Sequence, residues 1–180
     1  PLLIWPSVLR PYDRTAPILV DDTDMPISLS DVPGFAKFAE TAAHFALSRV
    51  RAVQSGAEAY RADKLMARED AHCVARAFRF GFAEDAAWAE ETLEEIWRGT
   101  AFAPDPKAKT LPSQTLTYEI AHAAIAEPRP LAVRLMAEIA SSVRHASVKK
   151  RLTRFAKQAA TALANRPERV LDQLARGPLP

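Results

Sequence analysis

The stretch "SDVPGFAKFAETAAHFALSRVRAV", residues 30 to 53, shows the pattern from which the fold is predicted. Its apolar residues recur at the 3.6-residue period of an α-helix, and Ser30 or Asp31 is a suitable N-terminal cap. The apolar face consists of Phe35, Ala39, Ala43, Ala46, Val50 and Val53. A helix with one apolar face has to bury that face against other elements, so this segment predicts the first helix of a packed bundle.

The same pattern recurs downstream, with glycines and prolines between the segments. A second helix is predicted to start at Ser55 and Glu58, whose spacing is that of a capping box, and to run to about Phe80. Later helices are predicted at about 84–98, 112–126, 130–145 and 147–164, with a linking loop at 99–111 and a short last helix that begins at 165–168 and ends at Gly177 and Pro178. The sequence thus predicts an all-α fold, a single-domain bundle of about seven helices over residues 31–180.

The first 30 residues differ from the rest because they are rich in proline. Proline removes a backbone donor and restrains the residue before it to extended conformations, so residues 1–30 are predicted to form an extended arm. The apolar side chains of this arm favour packing on the domain itself or on a partner. Its one strand-like segment, residues 16–22, has no partner strand in the chain and could pair with its copy in a homodimer.

The amino-acid composition indicates which classes of protein are compatible with this chain. The 180 residues are 48% hydrophobic and 26% charged, which is typical of a soluble globular domain. Cys73 is the only cysteine, which excludes an internal disulfide and a cysteine-built zinc site within one chain. No apolar run approaches the roughly 18 residues that cross a bilayer, and "PLLIW" at residues 1–5 is too short for a secretory signal. We therefore expect a cytoplasmic location and no membrane partner.

Charge is distributed unevenly along the chain. Residues 129–180 carry eleven basic and three acidic side chains, whereas residues 1–128 carry thirteen basic and nineteen acidic ones. In the sixth predicted helix, Val148, Leu152, Phe155, Ala159 and Leu163 share one face. The opposite side carries Lys150, Arg154 and Lys157, with Arg151 beside them. Such a row attracts anions, so an acidic protein or a nucleic acid is the expected partner. The simpler alternative is a solvated face that the acidic third helix balances.

Two pairs of residues have the spacing of metal ligands. Glu69 and His72 lie three apart in the second predicted helix, and Glu119 and His122 lie three apart in the fourth. Side chains three residues apart share a helical face, and two such pairs occur in ferritin-like proteins that hold two metal ions. The pairs therefore raise the alternative of a carboxylate-bridged metalloprotein or oxidase with iron or manganese as its cofactor.

The same spacing has a structural explanation. Apolar neighbours indicate that Glu69 and Glu119 both point inward, and a buried carboxylate needs a partner such as Arg68, Arg76 or Arg79. The third and fourth carboxylates of a two-metal site are not supplied convincingly, since the acids of the third helix point away from its apolar side.

Motifs for catalysis are missing from the sequence: it contains no serine elbow, phosphate-binding loop or Cys-His nucleophile pair. Whether the protein is an enzyme is therefore left open. The leading hypothesis is a non-enzymatic interaction or regulatory module that needs no cofactor and docks an anionic partner through its basic C-terminal helices.

Overall fold

The computed structural model describes residues 32–176, and side chains within residues 32–171. This part of the chain consists of helices and connecting loops, with no strand, and it confirms the all-α bundle. The seven helices are α1 (Phe35–Gln54), α2 (Arg68–Ala83), α3 (Ala87–Ala101), α4 (Gln114–Ala126), α5 (Pro130–Ser142), α6 (Ala146–Ala164) and α7 (Pro167–Arg176). The predicted arm at residues 1–30, its strand at 16–22 and the helix stop at Gly177 and Pro178 lie outside the described residues.

Helix α4 lies at the centre of the packing. Its most extensive contacts are with α2, and it also packs against α6 and α3. α5 and α6 pair with each other, and α1 packs on α2 and α3. None of the helices in the described part of the chain has the length and apolar character needed to span a bilayer.

The apolar face of α1 is buried as its sequence pattern predicts. All six residues of that face are buried, and Leu47 joins them. Phe35 contacts Phe80 of α2 with the two rings nearly perpendicular and their centroids 4.9 Å apart. A 3.6-residue period is therefore enough to identify which side of this helix faces the core.

The predicted start of the second helix at Ser55 is wrong, because residues 55–58 end α1 instead. The Ser55 N–H donates to the carbonyl of Arg51, and Gly56 takes the left-handed conformation, with a φ of 79°. The Glu58 carboxylate bonds Arg49 rather than a backbone amide at a new helix start. Helix α2 begins thirteen residues after Ser55, at Arg68. The residue types of a capping box also occur at the C-terminal end of a helix. Residues 55–58 form such a C-terminal end, that of α1.

The predicted break at Gly99 is also wrong, since Gly99 lies inside α3 and the loop that follows begins at Phe102. Gly99 is the point of close approach between α3 and α1. A methyl carbon built on it would lie 2.2 Å from Cγ1 of Val50. The Gln54 side chain donates to the carbonyl of Gly99 beside this contact, at 3.1 Å. Glycine is required here for packing rather than for ending the helix.

Helix α7 is held by an ionic network that sequence reasoning missed. Arg129 is buried, donates to the carbonyl of Phe82 and forms an ion pair with Asp85. Arg169 of α7 lies 3.6 Å from the carboxylate of Glu127 and approaches Asp85 as well. Because a buried guanidinium needs acceptors on several sides, this network fixes where α7 lies against the turn between α2 and α3.

We expect the Gly99→Ala substitution to destabilise the fold by about 1–3 kcal/mol, because the added methyl group has to displace Val50. Urea denaturation of the wild type, Gly99→Ala, Val50→Ala and the double variant measures the effect. The double variant should lose less stability than the sum of the two single losses, since Val50→Ala removes the clashing methyl. A stabilised Gly99→Ala protein would show instead that helix propensity decides at this position.

Candidate functional site

Helix α6 has one buried and one exposed side. Val148, Leu152, Phe155 and Ala159 are buried against the bundle. On the other side four cationic side chains are exposed, and we call them the basic face: Lys150, Arg151, Arg154 and Lys157. The structure thus leaves all four residues exposed, and α6 presents them from a fixed position because its other side belongs to the core.

Two acidic residues of α3, Glu94 and Glu95, bind cations elsewhere. Both oxygens of Glu95 accept hydrogen bonds from Arg51 of α1, each at 2.7 Å, and this guanidinium lowers the pKa of the Glu95 carboxyl. Glu94 accepts from Arg98 within α3, and the same guanidinium reaches Glu138 of α5. Within the described side chains, no carboxylate forms an ion pair with the basic face. The alternative in which α3 balances that face is therefore not supported by direct contacts.

Two arginines of the basic face lie on aromatic rings. The guanidinium carbon of Arg151 is 4.3 Å from the centroid of the Tyr118 ring, and that of Arg154 is 5.4 Å from the Phe155 ring. The Tyr118 and Phe155 rings meet edge to face, with centroids 6.1 Å apart. The His122 ring also packs on Phe155, and the two ring centroids are 4.6 Å apart. The contact between α4 and α6 therefore supports the two guanidinium groups from below.

Glu119 lies beside this contact and is buried in α4, with 6% of its surface exposed. No hydrogen bond within the described residues reaches its Oε2 atom. Burial raises the pKa of the Glu119 carboxyl to about 7, although the charges of Arg151, Arg68 and Arg76 act to lower this pKa. The inward position of Glu119 is confirmed. The expected direct bond to Arg68, Arg76 or Arg79 is not formed in the described structure; the carboxyl instead takes up a proton near neutral pH.

The same surroundings also change the pKa of the His122 imidazole. Burial lowers its pKa, and the neighbouring charges of Arg151 and Arg154 lower it further. The imidazole is therefore neutral at pH 7. It adds no charge to the contact and serves there as a ring that packs on Phe155.

The other pair that is predicted to bind metal has one buried and one exposed residue. His72 is buried in α2, and desolvation together with Arg68 lowers its pKa. Glu69 is exposed, so its predicted inward position is wrong. Glu69 lies in the first turn of α2, where the helix faces solvent. The buried residues of this helix begin after it, with Ala71 and His72.

The metal hypothesis gains no geometric support from the described side chains. Among them, no group of three or more His, Cys, Asp or Glu residues is close enough together to hold a metal ion. Glu69, His72, Glu119 and His122 do not form such a group. Binding of iron or manganese stays a prediction from the spacing.

The contact of Arg151 with Tyr118 was missed by sequence reasoning. The two residues are far apart in the chain, and neither has a pattern that predicts the other as its neighbour. The available indication is that Tyr118 lies on a helix with few ionisable side chains and many apolar ones. Such a ring had to be covered by some neighbouring element.

We expect the stability of the protein to fall as the pH rises, through Glu119. The pKa of its carboxyl is about 7 in the folded chain against an ordinary value of 4.5. The folded state therefore holds the proton more tightly, so this contribution is complete below about pH 4.5 and is lost as the pH rises through about 7. The total loss should be on the order of 3 kcal/mol.

Glu119→Gln removes the titration and should flatten this part of the stability profile, which makes the variant more stable than the wild type above pH 7. Urea denaturation across this pH range measures the effect. Glu69→Gln, at an exposed carboxyl of α2, is the matched control and should keep the wild-type profile. Identical profiles for Glu119→Gln and the wild type would contradict the assignment.

Comparison with known proteins adds nothing to this geometry. The chain matches no family model, no curated protein and no solved structure. The features of the chain that bear on its function are the basic face of α6 and the residues that support it.

Proposed function

We propose that this protein is a non-enzymatic interaction or regulatory module that docks an anionic partner, an acidic protein or a nucleic acid, through the basic face of α6. The observation that carries the proposal is that Lys150, Arg151, Arg154 and Lys157 are all exposed and form no ion pair with a carboxylate in the described residues. Exposed cations without internal partners remain available to an external anion.

The arrangement of the cations supports a common ligand. Lys150, Arg154 and Lys157 are four and then three residues apart, so they lie along one side of the helix. Their positive potentials add along this strip. Lys149, Arg144 and Thr153 are exposed nearby, and no exposed carboxylate occurs within α6. The helix therefore offers an anion a continuous positive edge.

The anchoring of α6 also supports recognition. The helix is fixed along its length by its buried residues, and Phe155 contacts both Tyr118 and His122 of α4. A partner that binds the basic face meets side chains on a rigid helix, so little backbone ordering opposes association. Charge steering on such a surface raises the association rate and makes affinity depend on salt.

The test is charge reversal on the basic face. In Lys150→Glu/Arg154→Glu/Lys157→Glu, binding to fluorescein-labelled polyglutamate and to a short DNA duplex should weaken at least about tenfold at low salt, because three attractions become repulsions. Fluorescence anisotropy measures both affinities. The salt dependence of any remaining binding should also become shallower.

The matched control changes the same charge at three exposed lysines outside α6. Lys37→Glu/Lys107→Glu/Lys109→Glu has the same net charge as the test variant, and its substitutions lie in α1 and in the loop between α3 and α4. It should bind nearly as well as the wild type. Equal losses in both triple variants would show that net charge alone controls binding, and unchanged binding in the α6 variant would exclude the proposal.

A further inference from the structure

The four cations of the basic face are held in two different ways. Arg151 lies over Tyr118 and also within 5.4 Å of Phe155, and Arg154 lies 5.4 Å from the same Phe155 ring. Lys150 and Lys157 contact no aromatic ring in the described structure. The basic face thus combines two supported guanidinium groups with two ammonium groups on flexible stems.

The rings beneath the arginines are themselves fixed. Tyr118 and Phe155 are 7% and 3% exposed, so both belong to the core between α4 and α6. A guanidinium that rests on a fixed ring loses much of its rotational freedom before any ligand arrives. Its N–H groups remain directed outward from the rim of the guanidinium plane. Among the described residues no protein acceptor bonds the guanidinium of Arg151 or Arg154, so these donors are available.

Guanidinium groups of this kind bind oxyanions through two parallel hydrogen bonds. The five N–H donors of an arginine form a rigid fork that matches two oxygens of a carboxylate or of a phosphate. A lysine ammonium has the same charge but no fork, and its side chain loses more entropy when a ligand holds it in one geometry. Two supported forks three residues apart on α6 can bind two carboxylates on successive turns of a partner helix.

We propose that Arg151 and Arg154 form a preorganised pair that recognises the carboxylate side chains of an acidic protein segment, with Lys150 and Lys157 supplying attraction but little selectivity. This inference rests on the proposed function of the basic face and names the partner of that site.

The extent of the basic face favours a protein segment over nucleic acid. From Lys150 to Lys157 it is roughly 10 Å long, at about 1.5 Å per residue. That length matches two turns of an acidic helix, whereas duplex recognition usually spreads phosphate contacts over a much wider surface. The rings at this site are buried under the arginines, and the exposed large apolar side chains of the described part, Phe45, Val170 and Leu171, lie on α1 and α7. The site therefore offers bases no ring on which to stack.

The experiment compares substitutions that conserve charge. Arg151→Lys/Arg154→Lys keeps every positive charge but removes both forks and their stacking, and Arg61→Lys/Arg134→Lys, at two exposed arginines outside α6, is the matched control. The probe is a fluorescein-labelled helical peptide with glutamates three and four residues apart, and a DNA duplex serves for comparison. We expect the arginine-to-lysine variant to bind the peptide at least about tenfold more weakly, and the control to change less than about twofold.

The outcomes separate this inference from the proposed function. If both charge-conserving variants bind like the wild type while the triple charge reversal abolishes binding, the inference is overturned and the proposed function stands. If the charge reversal also has no effect, both are overturned. Tighter binding of the duplex than of the peptide, with the same loss in the arginine-to-lysine variant, would overturn the choice of an acidic protein segment.

A substitution beneath the arginine provides a second measurement. Tyr118→Leu keeps an apolar side chain in the core but removes the ring under Arg151. Peptide binding by this variant should weaken in the same direction as binding by Arg151→Lys, with the thermal unfolding midpoint recorded to show that the bundle is folded. Wild-type affinity in a folded Tyr118→Leu protein would show that the ring does not position Arg151.

Discussion

Burial of α4 on several sides is the constraint on which the rest of this bundle depends. Packing against α2, α3 and α6 leaves the fully buried Thr117 with only protein neighbours. Thr117 therefore bonds the carbonyl of Ser113, and its own carbonyl accepts from Nε1 of Trp97 in α3. Small residues such as Ala121 and Ala124 allow the neighbouring helices to come close. A helix enclosed in this way can orient its neighbours because it has little freedom to move.

The orientation of α6 follows from that enclosure. Phe155 has to pack against Tyr118 and His122 of α4, and Leu152 is buried on the same side. With this side fixed, the helical period leaves Lys150 and the other cations of α6 on the outside. Core packing and the exposure of the basic face are thus two consequences of one helical orientation. The exposure of the basic face does not need a separate structural explanation.

Periodicity predicted the helices well because the burial of one face is a property of the local sequence. It identified the buried side of α1 and divided α6 into an apolar and a basic side. It failed where contacts outside the local pattern decide. Residues 55–58 end a helix, and Glu58 bonds Arg49 there. Gly99 lies inside a helix, where its missing side chain gives room to Val50. The exposure of Glu69 depends likewise on how far the core extends along α2. No local pattern contains that information.

Glu119 shows how the core and the basic face depend on each other. An ionised carboxylate buried at this place would require a direct cationic partner, and the nearest charges include that of Arg151. Burial raises the pKa of Glu119 to about 7, so below that pH the carboxyl is neutral and this requirement disappears. Within the described residues, Arg151 forms no ion pair with Glu119, and its guanidinium carbon lies 4.3 Å from the centroid of the Tyr118 ring. No carboxylate of the described bundle therefore competes with an external anion for this guanidinium.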